Sequence, residues 1–407
     1  MTEIGEELLS EFSVYKAKGI EIRLDVTEGR AELKSSGPLS LPCAPIIRYV
    51  NSMLQNEKAI EVKDDSVILT TWLPPIPSGP FRRALKAEID ILLRRKYVPQ
   101  AVSINAFKRC SCSCTHCNMV QSPNEELSTD ELKDFIDQVI GLGAISIGFA
   151  EGDPLLREDL VDLVRHVDKD KAIASVFTPG ILLTEEKAVE LKTAGLYAAI
   201  IGLRSPISGE HDTARGVKGA FEKATISMKN AVKAGLYVSM HTHANPGLIE
   251  SGKLEGLYDL ASQLGVHELT VWEGVPTWSY MNNERMMLND DHRKQILDMY
   301  RRVNSTPEGP RMFSMTFFES PKLFGCMAGR RWLNLVDSGD LTPCTYMPIS
   351  FGNIKEEGVK DIWDRIRKFP EFRCKRSCLM LDPEFRSKYI KKIAKSETLP
   401  IHIEKSD

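Results

Sequence analysis

Three features are missing from this chain, and each absence excludes a class of function. No apolar run approaches the ~18 residues needed to cross a bilayer; "AISIGFA" and "YAAIIGL" have the length of buried strands. The acidic opening, "MTEIGEELLSEF", lacks the basic and apolar regions of a secretion signal, so the expected location is cytoplasmic. There is no basic excess either: 53 Lys and Arg stand against 56 Asp and Glu, a net charge of −3. Without such an excess the chain cannot neutralise a phosphate backbone, which argues against a nucleic-acid binder. The basic runs "RIRK" and "YIKKIAK" read as solvated helix faces. No Ser-His-Asp arrangement, Walker loop or GxGxxG stands out, and the N-terminal region shows no cobalamin-binding pattern.

What is present is an alternation. From residue 100 onward, β-rich runs at 101–107, 144–150, 172–177, 197–203, 236–242 and 267–273 are separated by amphipathic stretches. The clearest stretch, 128–140, spaces Leu132, Phe135, Ile136, Val139 and Ile140 along one helical face, behind a capping box of Ser128 and Glu131. Such strand–helix units require parallel strands with right-handed crossovers, satisfied by an open doubly wound sheet or by a barrel-like curl. Before residue 100 the pattern differs. A hairpin ("IEIRLDVTEGRAELKS"), a helix near 44–55, a short strand pair at 59–71, a stiff "PPIPSGP" connector and a helix at 81–95 are expected. After about residue 306 the alternation is expected to stop. This divides the chain into an α+β region at 1–99, an α/β unit at 100–305 and a small domain at 306–407.

Nine cysteines in a reducing compartment read as metal ligands or reactive thiols. Four fall within "RCSCSCTHCNM": Cys110, Cys112, Cys114 and Cys117. Taken as C-x3-C-x2-C, the run selects Cys110, Cys114 and Cys117, just after the first strand, where α/β proteins place their chemistry. Three thiolates can hold three irons of a [4Fe–4S] cluster and leave the fourth open. The competing reading is a tetrahedral zinc site formed by all four thiolates, in a non-catalytic binding protein.

That motif, in that place, resembles the radical S-adenosylmethionine (SAM) enzymes. The resemblance implies a partial (β/α)6 barrel, a [4Fe–4S] cluster whose open iron chelates SAM, and reductive cleavage to a 5′-deoxyadenosyl radical that abstracts hydrogen. His116 matches an aromatic position that packs on the adenine. "AEGDPLL" resembles the family's GGEPLL stretch, whose backbone meets the SAM amino group. Gly152 and Pro154 match it, Asp153 stands for the usual Glu, and Glu151 replaces a Gly. "EHDTARGVKGAFE" resembles the segment whose arginine, here Arg215, approaches the SAM carboxylate; the alternative for Arg215 is a helix-start ion pair. "GLRS" departs from the usual Ser-x-Asp, leaving Gly202 and Arg204. Cys112 matches nothing in the motif.

Cys326, Cys344, Cys374 and Cys378 form a second group, with Gly339 and Asp340 forming a hairpin turn before "LTPC". This resembles the entry to a SPASM or Twitch domain. The four cysteines fit one fully ligated auxiliary [4Fe–4S] cluster, with structural zinc as the alternative. The resemblance covers about residues 100 to 380, and Cys43 has no place in it. It also implies an electron donor such as ferredoxin or flavodoxin, and a peptide, protein or small-molecule substrate. In the fifth strand, alternation places Tyr237, Ser239, His241 and His243 on the inner face. His241 and His243 are therefore candidates for the cavity wall, against the alternative of satisfied core histidines. Trp272, Glu273 and Trp278 are weaker candidates.

Overall fold

The computed structural model describes residues 10–27, 29–54, 57–114, 117, 126–278, 281–393 and 398–403. Among them no helix is long and apolar enough to cross a membrane.

The N-terminal region opens as an antiparallel meander of β1 (Ser10–Ala17), β2 (Ile20–Thr27) and β3 (Arg30–Ser36). Phe12 and Val14, Leu24 and Val26, and Ala31 and Leu33 turn the same way and are buried, as period-two alternation requires. The expected hairpin is β2–β3; β1 is an addition. Helix α1 (Ser40–Leu54) covers this face, and Asn51 clamps both backbone groups of Leu33 at 2.8 and 2.9 Å. The short pair β4 (Glu61–Val62) and β5 (Val67–Ile68) precedes α2 (Gly79–Arg94), which Ser78 caps and Pro80 starts. These elements share a core of their own, running from Phe12 to Leu85.

The second body is a nine-stranded sheet. Its parallel strands are β6 (Ala101–Asn105), β7 (Ser146–Phe149), β8 (Ile173–Thr178), β9 (Ala198–Gly202), β10 (Tyr237–Ala244), β11 (Glu268–Glu273) and β12 (Arg311–Ser314). Between them run α3 (Thr129–Leu142), α4 (Leu160–His166), α5 (Glu185–Thr193), α6 (Ser208–Arg215), α7 (Ala220–Lys233), α8 (Pro246–Glu250), α9 (Lys253–Leu264) and α10 (Asp290–Asn304). The capping box of Ser128 and Glu131 opens α3 as expected. The alternation runs one strand further than the sequence pattern suggested, because β12 joins at 311–314. On the other side of β6 lies β13 (Trp332–Val336), also parallel, followed by the antiparallel β14 (Leu341–Thr342). Gly339, at φ +92°, makes the turn between them.

The strands follow chain order from β6 to β12 with no reversal, so the sheet is singly wound rather than doubly wound. It is also curled. Trp272 on β11 and Trp332 on β13 are six strand steps apart, roughly 29 Å in a flat sheet. Their rings meet at 5.5 Å. The result is a partial barrel. Its floor is closed by Trp72 from the N-terminal region, which packs on Phe177, Trp272 and Phe313 at 5.4–5.5 Å.

Candidate active site

A cavity of about 610 Å³ opens at the carboxyl ends of the barrel strands. One side is the loop after β6, where the Cys112 thiol donates to Cys110 and Cys114. That donation, followed by the charges of Arg215 and Arg204, holds the Cys114 thiol down to about 5. The proton stays on Cys112, whose pKa is pushed up. Cys110, Cys114 and Cys117 all line the cavity, and Cys112 does not. Three sulfurs lining one cavity, with the Cys110 and Cys114 thiols held down, suit an iron–sulfur cluster. Among the described residues, no three Cys, His, Asp or Glu side chains form a group that could hold a single ion.

Local geometry explains the loop's neighbours. Gly152 has φ +61°, and a Cβ there would stand 2.2 Å from the Phe107 carbonyl oxygen and 2.7 Å from that of Arg109. Only glycine lets the loop after β7 close on the cysteine loop. Asp153 is buried and accepts from Ser111 Oγ at 2.8 Å and Thr178 Oγ1 at 2.9 Å, tying the cysteine loop to β8. Pro154 is buried and begins a 3₁₀ turn. On the opposite side, Ser113 donates to the Arg215 carbonyl at 2.9 Å, and Gly216 faces the Ser113 carbonyl too closely for any Cβ.

Arg215 sits in the last turn of α6. Its Nη2 donates to the Gly202 carbonyl at 2.6 Å, and its Nη1 stands 3.6 Å from Cys114 Sγ. Among the described residues it makes no ion pair. Arg204, at the place of the departure from Ser-x-Asp, has Nη1 2.5 Å from His243 Nδ1. His243 Nε2 is 3.4 Å from the Tyr346 hydroxyl. Both His241 and His243 line the cavity, as alternation along β10 predicts. Burial, then the two arginine charges, hold His241 well below the ordinary imidazole range, so it is neutral. Among the described residues, the buried Nε atoms of Arg204 and Arg215 and Nε2 of His241 have no hydrogen-bond partner. The two orphaned arginine donors beside the thiols fit a polar, anionic ligand such as the carboxylate of SAM.

Some candidates separate. Trp272 lines the cavity, whereas Glu273 pairs with Arg293 at 2.6 Å on α10. Trp278 donates to the Thr345 carbonyl at 2.6 Å and lies outside the cavity. His116 falls outside the described residues. Sequence reasoning missed Trp332, Thr345 and Tyr346, brought to the wall by the segment after β12. The last two closely follow Cys344, and that proximity was the available signal.

In the second group, Cys326 and Cys344 are buried. Donation from the Cys378 thiol holds Cys326 down to about 7, against its burial. Burial, then Cys326, pushes Cys344 up. Cys374 is exposed on the same segment as Cys378.

A profile of the radical SAM superfamily matches residues 104–253, and one of an iron–sulfur cluster-binding (SPASM) domain matches residues 326–383. The chain belongs to the radical SAM superfamily. Its first domain implies a [4Fe–4S] cluster and SAM, and its second implies auxiliary iron–sulfur clusters. This radical SAM enzyme is 25% identical over 299 residues to the AdoMet-dependent heme synthase of Methanosarcina barkeri, covering 68% of this chain and 85% of that protein. It is 25% identical over 308 residues to the PqqA peptide cyclase of Rhizobium meliloti, covering 71% and 80%. Its fold matches that of Streptococcus suis SuiB bound to precursor peptide SuiA, with a TM-score of 0.57 at 13% identity, over 91% of this chain and 96% of that one.

Proposed function

We propose that this enzyme cleaves SAM reductively and abstracts hydrogen from a peptide or protein substrate, supported by one auxiliary [4Fe–4S] cluster. Bound SAM, reduced through its cluster, would supply a 5′-deoxyadenosyl radical. Cys110, Cys114 and Cys117 would hold the first cluster; Cys326, Cys344, Cys374 and Cys378 would hold the second. Arg215, anchored through Nη2 on the Gly202 carbonyl and with its Nε unpartnered among the described residues, would offer a charged donor to the SAM carboxylate. Gly152 admits the backbone close to the amino group, Asp153 fixes the loop, and His116 would pack on the adenine. Neutral His241, with His243 beside it, would orient substrate. Trp72, Trp272 and Trp332 exclude water from below and beside the cavity, protecting a radical from quenching.

The observation favouring a peptide is the N-terminal meander with α1. It falls within the near full-length likeness to a structure that carries a precursor peptide. Residues 1–99 would then be the recognition module, 100–305 the barrel and 306–407 the auxiliary domain. A second reading, a carboxylate-bearing small molecule, is favoured by the heme synthase relatives and by the arginines on the cavity wall.

Anaerobic material should be brown with about eight irons per chain. Strong reductant and SAM should release 5′-deoxyadenosine, and a cognate peptide should accelerate that release. Cys114→Ala should abolish release and remove about four irons, whereas Cys344→Ala should spare release at least partly. Colourless protein with stoichiometric zinc ends the radical reading. Acceleration by porphyrin carboxylates but by no peptide transfers it to the small-molecule class.

A further inference from the structure

The stretch "RIRKFPEFRCKR", residues 365–376, carries six cations against one acid, Glu371, in a chain whose net charge is −3. Pairing removes part of this excess: Arg365 binds Glu357, and Arg376 shares Glu371 with Lys388. Lys368, Arg373 and Lys375 are exposed, and among the described residues none has a carboxylate partner. Arg373 reaches only the Lys368 carbonyl, at 2.8 Å.

The patch is fixed to the second cysteine group by main chain. Cys326 N donates to the Arg376 carbonyl at 2.6 Å, and a Cβ on Gly325 would lie 2.8 Å from both that oxygen and Lys375 Cγ. Cys374, between Arg373 and Lys375, is exposed, while Cys326 and Cys344 are buried. Cys374, the exposed member of the four, therefore lies in the chain between two of the segment's exposed cations that have no carboxylate partner among the described residues. Lys322 is exposed on the adjoining turn.

We propose that Lys368, Arg373 and Lys375 form the docking face for a small acidic electron-transfer protein that exchanges electrons with the auxiliary cluster beside Cys374. The proposal rests on the reading that the four cysteines hold that cluster. In each exchange the reduced partner gives one electron and is oxidised by one, while the cluster is reduced by one; no group or proton is transferred. Opposite charge concentrates such a partner at its exit point and raises the encounter rate in a salt-dependent way. An extended polyanion fits less well, because the rest of this net-negative chain repels it.

The test uses the full-length holoenzyme and reduced flavodoxin as probe, in stopped flow. Iron content and cluster spectra are recorded first. In wild type, flavodoxin oxidation should slow steeply as salt rises. In K368E/R373E/K375E it should slow by about tenfold or more at low salt, while reduction by dithionite and the cluster spectra stay unchanged. K322E/K368E, which leaves both neighbours of Cys374 intact, should show a smaller loss of the same kind if the triple variant fails to assemble. An unchanged flavodoxin rate in a charge-reversed protein with normal clusters overturns the proposal. So does duplex DNA that binds as tightly as flavodoxin and loses binding in the same variants. Wild type lacking the auxiliary cluster overturns the underlying reading instead, and that is visible before any flavodoxin is added.

Discussion

At residue 151 a glutamate holds φ +60°, a conformation that costs a side-chain-bearing residue roughly 1–3 kcal/mol. Its carboxylate accepts from Thr345 Oγ1 at 3.3 Å, and burial pushes its pKa up to about 8. The folded protein therefore keeps a proton on Glu151 that the unfolded chain loses near its ordinary 4.5. Between those values the folded state binds more protons, so the stability tied to this group falls as pH rises through the window and stays low above it. Glu151→Gln should remove that penalty. Anaerobic melting should show the variant matching wild type near pH 5 and exceeding it above pH 8, by on the order of 2 kcal/mol once discounted for a side chain at the cavity edge. A constant difference at every pH would rule out burial of an ionisable group as the cause. At this scale the meeting of the cysteine loop with Gly152 and Asp153 was legible because close backbone approach fixes residue type and spacing. The pairing of Arg204 with His243 was not, because nothing in "GLRS" shows that β9 and β10 bring the two side chains together.

Between elements, the floor of the barrel is held by charge as well as by Trp72. Arg311, first residue of β12, reaches Glu268 of β11 at 2.6 Å and also Glu57 from the N-terminal region, to which Tyr300 of α10 donates. Glu268 also accepts from Thr70 and Thr71, each at 2.6 Å. Both acids and the arginine are buried. Arg311→Met would leave two carboxylates facing each other without a cation, at a cost of roughly 3–5 kcal/mol. Chemical denaturation should show that loss, and limited proteolysis should cut first between residues 57 and 78 as the N-terminal segment leaves the floor. E57Q/E268Q/R311M should recover most of the stability; if it does not, the network contributes packing rather than charge. Period and length signalled β6 to β11, because their apolar runs are buried on both faces. β12 escaped notice because its four residues begin with this buried arginine, and β1 because only Phe12 and Val14 mark its buried face.

Over the whole molecule, the auxiliary domain continues the barrel sheet. β13 pairs in parallel with β6 from Trp332–Ala101 to Val336–Asn105, covering the edge that starts the barrel, and it brings Trp332 to the cavity wall. Trp332 Nε1 donates to Ser103 Oγ at 2.9 Å, locking that pairing. Truncation after residue 325 would therefore do more than delete a cluster site. It would expose the full edge of β6 and open the aromatic interior to water, the kind of unprotected edge that aggregates. Replacing Cys326, Cys344, Cys374 and Cys378 with serine keeps β13 in place and separates the two effects. The tetraserine variant should remain soluble, with about four irons and the spectrum of the first cluster. The truncated chain should appear mainly in the insoluble fraction or melt well below the tetraserine variant. Equal solubility and equal iron content in the two would show that β13 adds only a surface strand. In that case the cavity beside Trp332 would have to be closed by the substrate itself.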